Sequence, residues 1–516
     1  MATNMSLSSP AQVVDFLAGA GLGPLRTFIA QQRWFAAKSR ELRTIDIEDW
    51  AALDADHPVL LLLVRVDGER YYLPLAVCPA GGTADRDVIT RIDDLAIVDA
   101  HEDLGFVHSL LSAMTSHRKL TGRRGCFVCR SRGRPGAAAG LEAAPPRVAV
   151  RISGEQSNTS VVVDRSLIVK SIRRPQLGIN PDVEVLDFLA SRTRFLNVPP
   201  LRGWIEYLDA DGHGATVAVL QGYIENTGDG WRYVMSGLDE LCSTFEGSGD
   251  HATAEPQEDR FAMLAGPLIR DVRELGIVTG GLHAALASDP HSPAFSPEPV
   301  TYEDVGRWCA RVARELEEVA FDTVAGSASP PGLEMIRETL RGSGGRIDAS
   351  VADVGLLGGS RTHKIRCHGD YHLGQVLKTA DGFVILDFEG EPARSPEERG
   401  GKRPPVRDVA GMLRSLSYAV HATASRRPPE RRAETLVFLT AWEQHARRAF
   451  FEGYRLAVAN SPARLVPPTD VDLARVCAVF ELEKACYELR YELDNRPDWA
   501  PIPAEGILHL LESARS

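Results

Sequence analysis

The stretch RCHGDYHLGQVLKTADGFVILDFEGEPARSP, residues 366–396, constrains this chain more than any other. Asp370 is followed five residues later by the amide Gln375, and Asp387 stands twelve residues beyond that, with Glu389 close behind. Two short apolar runs, VLK and FVIL, separate Gln375 from Asp387 around a turn that ends in Asp-Gly. That pattern predicts a tight hairpin. Such a hairpin brings the amide and the second aspartate side by side. The alternative is a surface hairpin whose carboxylates only face water.

The surroundings of this stretch are ordered in a definite way. Residues 10–40 read as a helix and a turn, and residues 43–100 are strand-like, with Asp67-Gly68 marking a hairpin turn. Strands return at 147–171, an amphipathic helix is expected over 181–194 with Pro181 in its first turn, and two more strands lie between 204 and 224. Beyond about 226 the periodicity is mostly helical. A chain of 516 residues is too long for one simple core, so two or three domains are expected. The fold class predicted is α+β, a β-rich half followed by a helical half.

This order gives the spacing a chemical meaning. Phosphoryl transfer needs an acceptor hydroxyl aimed at the γ-phosphate and cations to neutralise the spreading charge. HGDYHLGQ fits the protein-kinase pattern H-R-D-x-x-x-x-N with Gly for Arg and Gln for Asn, and LDFEG fills the D-F-G place. Asp370 is then the catalytic base, and Gln375 and Asp387, assisted by Glu389, hold Mg²⁺ through hard oxygen ligands. His368 orients the loop, His372 faces the acceptor, and Asp408 caps a helix and braces the loop. Upstream, Ser153, Gln156, Ser157, Asn158 and Thr159 lie in a small polar run between strands, suited to cover ATP phosphates. Lys170 ends an apolar strand where it would meet those phosphates. Its expected partner is Glu184, with Asp182 and Asp187 behind it. Gln221, Gly222 and Tyr223 would offer backbone groups to adenine.

Net charge is −12 with a pI near 5.7, which argues against a nucleic-acid or anionic-membrane partner. The expectation is a cytoplasmic monomer or dimer: no signal peptide is evident, no apolar run has the length of a membrane span, and the eight cysteines are scattered. Residues 116–146 carry seven Lys/Arg and no acid before Glu142, which reads as an exposed basic insertion. Cys126-x-x-Cys129 within it has no second pair, so a solvated loop is favoured over a zinc site.

The chain resembles the bacterial maltokinases, relatives of the aminoglycoside phosphotransferases. The resemblance rests on QQRWFAAKSR, GEQSNTSVV, LIVKSIRR, GINPDVEVLDFL, HGDYHLGQVL, ILDFEGEP, RDVAGMLRSLSYA and YELRYELDNRPDWAPIP, in family order over most of the chain. It implies a bilobal eukaryotic-protein-kinase-like fold with an N-terminal cap subdomain over 1–105, a kinase N-lobe over 106–225 and a helical C-lobe over 226–516. It implies ATP-dependent phosphorylation of maltose to maltose 1-phosphate, and a link through a trehalose synthase, a possible partner, to α-glucan (glycogen) assembly. Relatives of the fold phosphorylate other small sugars, so glucosamine and aminoglycosides stay open as acceptors, as does an inactive scaffold for a trehalose synthase. The expected sugar site lies in the C-terminal helices, where Tyr487 and Tyr491 share a face, as do Glu488 and Glu492, with Trp499 beyond and Arg414 in reach.

Overall fold

The structure, a computed structural model, describes residues 9–35, 42–54, 59–81, 87–132, 145–152, 157–247, 258–321, 333–342, 351–391 and 394–513. The chain forms two compact units: Met1–Asp187 with Pro199–Glu225, and Phe188–Val198 with Asn226–Ser516.

The first unit contains two antiparallel sheets. Strands β1 (Ile45–Asp54), β2 (Val59–Val66), β3 (Glu69–Pro79), β4 (Val88–Ile92) and β5 (Leu95–Asp99) form one, in the order β1-β2-β3-β5-β4. The apolar run VLLLLV is continuous because β2 is buried on both faces. One face meets the helices Pro10–Ala18 and Leu22–Gln31 through Val14, Leu17 and Phe28. The other meets the helix Leu104–Thr115 through Phe106 and Leu110. The β2–β3 turn holds Asp67 and Gly68 at φ 47° and 90°, the left-handed pair that a two-residue hairpin of this twist requires.

The second sheet runs β6 (Lys119–Thr121), β7 (Cys126–Ser131), β11 (Leu201–Leu208), β12 (Gly214–Gly222), β10 (Leu167–Ser171), β9 (Thr159–Val163) and β8 (Ala149–Arg151) in that spatial order. The segment 116–146 therefore departs from the insertion expected of it. Its first half is a hairpin of the sheet, with Phe127 and Cys129 buried in the core and Arg130 on the opposite face, bonded to Glu206 at 2.7 Å. Residues 133–144 lie outside the described set. Burial alternates along β7: Phe127 and Cys129 face the core, Cys126 and Val128 are partly buried and Arg130 is exposed.

The second unit is helical. The helices Glu258–Leu286 and Pro429–Val458 cross with their backbones in contact: a Cβ on Gly276 would lie 2.2 Å from the Phe450 carbonyl oxygen. The helix Val406–Ser425 is almost wholly buried. A Cβ at its Gly411 would lie 2.5 Å from the Tyr371 carbonyl, so this glycine lets the loop over 366–375 rest directly on the helix. Strands β13 (Val376–Thr379) and β14 (Gly382–Ile385) form the hairpin predicted for VLK and FVIL. Among the described residues no single helix is long and apolar enough to cross a membrane.

Candidate active site

In the first unit, Lys170 lies on β10, paired with Ser160 of β9 and Val219 of β12, and is buried. The Asp182 carboxylate lies 3.9 Å from its ammonium. Asp182 also accepts from Gln221 Nε2 at 2.9 Å, and Asp187 pairs with Arg132 instead. Asp182 falls in the first turn of the helix Pro181–Arg192, whose start is fixed by Asn180 accepting from the Asp182 N–H at 2.9 Å. Asn158 and Thr159 are buried at the head of β9, and Thr159 Oγ1 accepts from Arg173 Nε at 2.9 Å. Ser157 precedes them and is exposed, while Ser153 and Gln156 lie outside the described residues. The backbone N–H groups of Gly222 and Tyr223 are engaged by the carbonyls of Pro200 and Ser166 at 2.8 and 2.9 Å. Those two backbone donors are therefore already bonded within the protein.

In the second unit, one carboxylate organises the loop over 366–375. Buried Asp408 accepts from the His368 N–H at 2.7 Å, the Gly369 N–H at 3.0 Å and His283 Nε2 at 3.1 Å. His283 in turn meets the Tyr454 hydroxyl at 2.8 Å. The His368 ring donates through Nε2 to the Leu386 carbonyl at 2.8 Å and accepts the Asp370 N–H on Nδ1 at 3.3 Å, which sets its neutral tautomer. This single imidazole thus joins the loop bearing Asp370 to the chain entering Asp387. Asp387 itself sits at φ 61°, a strained conformation for a residue with a side chain. Its carboxylate lies 3.4 Å from Gln375 Nε2, the meeting that the hairpin was predicted to produce.

A carboxylate and a carboxamide side by side are hard donors of the type Mg²⁺ prefers. Gln375 and Asp387 fit a divalent cation on that ground. Glu389 follows two residues on, its carbonyl accepting from Arg399 at 3.3 Å. His372 Nε2 lies 4.0 Å from Asp370, and burial holds its imidazole below the ordinary histidine range.

The residues missed by the sequence reading sit on the other side of Asp370. Lys484, from the helix Asp470–Asn495, places its ammonium 3.1 Å from Asp370 Oδ1 and 3.1 Å from Glu391 Oε1. Burial opposes the charge on Lys484, but the two carboxylates outweigh it and raise its pKa. Burial pushes the Glu391 carboxyl up, yet Lys484 and Arg394 together bring it down to about 2. A cavity of about 210 Å³ opens here, lined by Asp370, Glu391, Arg407, Glu483, Lys484 and Tyr487 among others. Glu483 is paired with Arg407 at 2.6 Å and Arg311 at 3.0 Å. The signal was present in the sequence: Phe480, Glu483, Lys484, Tyr487 and Arg490 recur at helical spacing and all line the cavity.

Of the expected sugar residues, only Tyr487 lines this cavity, with Lys484 Nζ 5.1 Å from its ring centre. Arg414 is buried and donates to Glu488 at 2.9 Å, so the pair fastens two helices together. Tyr491 and Trp499 are partly exposed and lie under the Arg496 guanidinium, with Trp499 stacked on Tyr418.

The chain is similar to known sugar kinases. Residues 28–103 match the maltokinase N-terminal cap domain. A glucosamine kinase of Streptacidiphilus jiangxiensis is 27% identical over 471 residues, covering 89% of this chain and 90% of that protein. A glucosamine kinase of Mycolicibacterium smegmatis is 26% identical over 373 residues, covering 71% and 80%. A solved glucosamine kinase in complex with glucosamine, ADP and inorganic phosphate superimposes with a TM-score of 0.64 at 22% identity, over 94% of this chain and 99% of that one. A glucosamine kinase solved in crystal form A gives 0.65 at 23% identity, over 99% of each. The chain carries a maltokinase N-terminal cap domain and the protein-kinase-like fold of these sugar kinases.

Proposed function

We propose that this chain is an ATP-dependent, Mg²⁺-requiring sugar kinase that phosphorylates maltose at its anomeric hydroxyl. The observation that carries the kinase reading is the catalytic loop: Asp370 at a polar cavity, with the Gln375–Asp387 pair held by the same loop and hairpin. The relatives named as sugar kinases support the class of reaction. The cap match supports maltose. A second reading, glucosamine as the acceptor, is supported by the names of those same relatives.

In this proposal the phosphates of ATP lie on Lys170 and the Ser157–Thr159 turn. Bound Mg²⁺, held by Gln375 and Asp387 with Glu389 assisting, would neutralise charge developing on the transferred group. Asp370 orients the sugar hydroxyl and accepts its proton as the oxygen bonds to the γ-phosphorus and the bond to the β-phosphate oxygen breaks, releasing ADP. Asp408 and His368 hold Asp370 at its place. A trehalose synthase would supply the maltose, and an α-glucan-forming reaction would consume the product.

Asp370→Asn keeps the shape of the loop and removes the proton acceptor. It should lower kcat by about 10²–10⁴-fold with little change in ADP affinity. Turnover within a few-fold of the parent would refute the assignment of Asp370.

A further inference from the structure

Resting on that reading, we propose that Lys484 selects an uncharged sugar and rejects an amino sugar, because its ammonium stands where the cation of an amino sugar would have to bind. The carboxylates of the cavity are the groups that an amino sugar needs. Lys484 bridges Asp370 and Glu391 at 3.1 Å each. Arg394 takes the other oxygen of Glu391. Glu483 is held by Arg311 and Arg407, Glu315 by Arg490 at 2.6 Å, and Asp408 by two backbone amides and His283. Each of these carboxylates is matched by a donor of the protein itself.

A hydroxyl and an ammonium meet this arrangement differently. A hydroxyl both donates and accepts, so one can donate to a carboxylate while accepting from Lys484. An ammonium only donates, and beside Lys484 it meets a like charge at close range with little water to screen it. The position matters. In glucosamine the amino group is on the carbon next to the anomeric carbon. If the anomeric oxygen lies on Asp370, the neighbouring substituent falls within reach of the ammonium 3.1 Å from that carboxylate. A glucosyl unit of maltose presents a hydroxyl there.

The same contact gives Lys484 a second role, as a positioning residue for Asp370. The selectivity role is the one that a substrate comparison isolates. The test measures kcat/KM for maltose, glucose and glucosamine, at a pH where the amine is protonated, with the full-length protein and with Lys484→Gln. The parent should prefer a neutral sugar, and the variant should shift the neutral-to-amino ratio toward glucosamine by about tenfold or more. A parent that prefers glucosamine, or a ratio that the substitution leaves unchanged, overturns the proposal while leaving the sugar-kinase reading in place. If the variant loses turnover with every sugar, calorimetric titration with glucosamine in the presence of ADP decides. Affinity rising about tenfold over the parent supports the role, and affinity that does not rise overturns it. If the parent phosphorylates no sugar at all, the sugar-kinase reading falls and this inference falls with it.

Discussion

At the scale of single residues, Asp408 shows how a buried charge can be a structural part. Its two oxygens accept from two backbone amides and one imidazole, and Asp408, His368 and His283 are all buried. Asp408→Ala orphans three donors, each costing about 1–3 kcal/mol when buried unpaired. The variant should lose several kcal/mol of stability, measured by chemical denaturation, and its activity should fall with Asp370 no longer held. Asp408→Asn keeps one acceptor oxygen and should fall between the parent and the alanine variant. A fully stable alanine variant would show that the loop is held by packing alone. The residues of this loop were legible in the sequence for a local reason. Asp370, Gln375 and Asp387 fall within eighteen residues, and one hairpin suffices to join them. Lys484 was not, because it arrives from a helix more than a hundred residues on, and only tertiary packing brings it to Asp370.

At the scale of elements, the cap sheet and the lobe sheet meet through Arg173, just past the end of β10. Its guanidinium bonds Asp99, the last residue of β5, and donates to Thr159, the first residue of β9. It also lies 4.8 Å from the centre of the Trp34 ring, and both Arg173 and Asp99 are almost fully buried. One side chain thus ties the end of a cap strand to the polar turn proposed to hold phosphates. Arg173→Met takes away the guanidinium that balances buried Asp99 and leaves it only the His101 ring, which should cost about 3–5 kcal/mol. The variant should also raise KM for ATP, since Thr159 loses a donor that fixes its hydroxyl. Asp99→Asn combined with Arg173→Met removes the stranded charge and should recover part of the stability. Failure of the pair to recover any of it would mean that the ion pair is not the source of the loss. The sequence shows why such ties escape notice: strand existence follows from alternation and turn residues, but nothing in the pair Arg173-Arg174 after LIVKSI marks the first as buried and the second as exposed. The same bias makes 116–146 read as a loop, because its arginines and lysines outweigh the short run CFVC, whose Phe127 and Cys129 are the buried positions of a half-buried strand.

At the scale of the whole molecule, acid should act on stability through two opposed effects. The chain carries a net charge of −12, and lowering the pH toward the pI near 5.7 relieves its self-repulsion, an effect that salt screens. His101 acts the other way. It is buried beside Asp99, Arg173 and Phe106, with Arg151 nearby; burial and the Arg173 charge outweigh Asp99 and hold its pKa down to about 4. The unfolded histidine takes up a proton near its ordinary value of about 6.5, whereas the folded one stays neutral until about pH 4. The stabilisation is therefore complete above about pH 6.5, declines as the pH falls, and is gone below about pH 4, a loss of about 3 kcal/mol. Denaturation of the full chain at high salt, where self-repulsion is screened but a buried imidazole is not, should show stability falling across that window. His101→Gln should flatten the fall while leaving the curve above pH 7 parallel to that of the parent. An unchanged slope in the variant would assign the acid response to other groups and would free His101 from the role that its burial against Arg173 gives it.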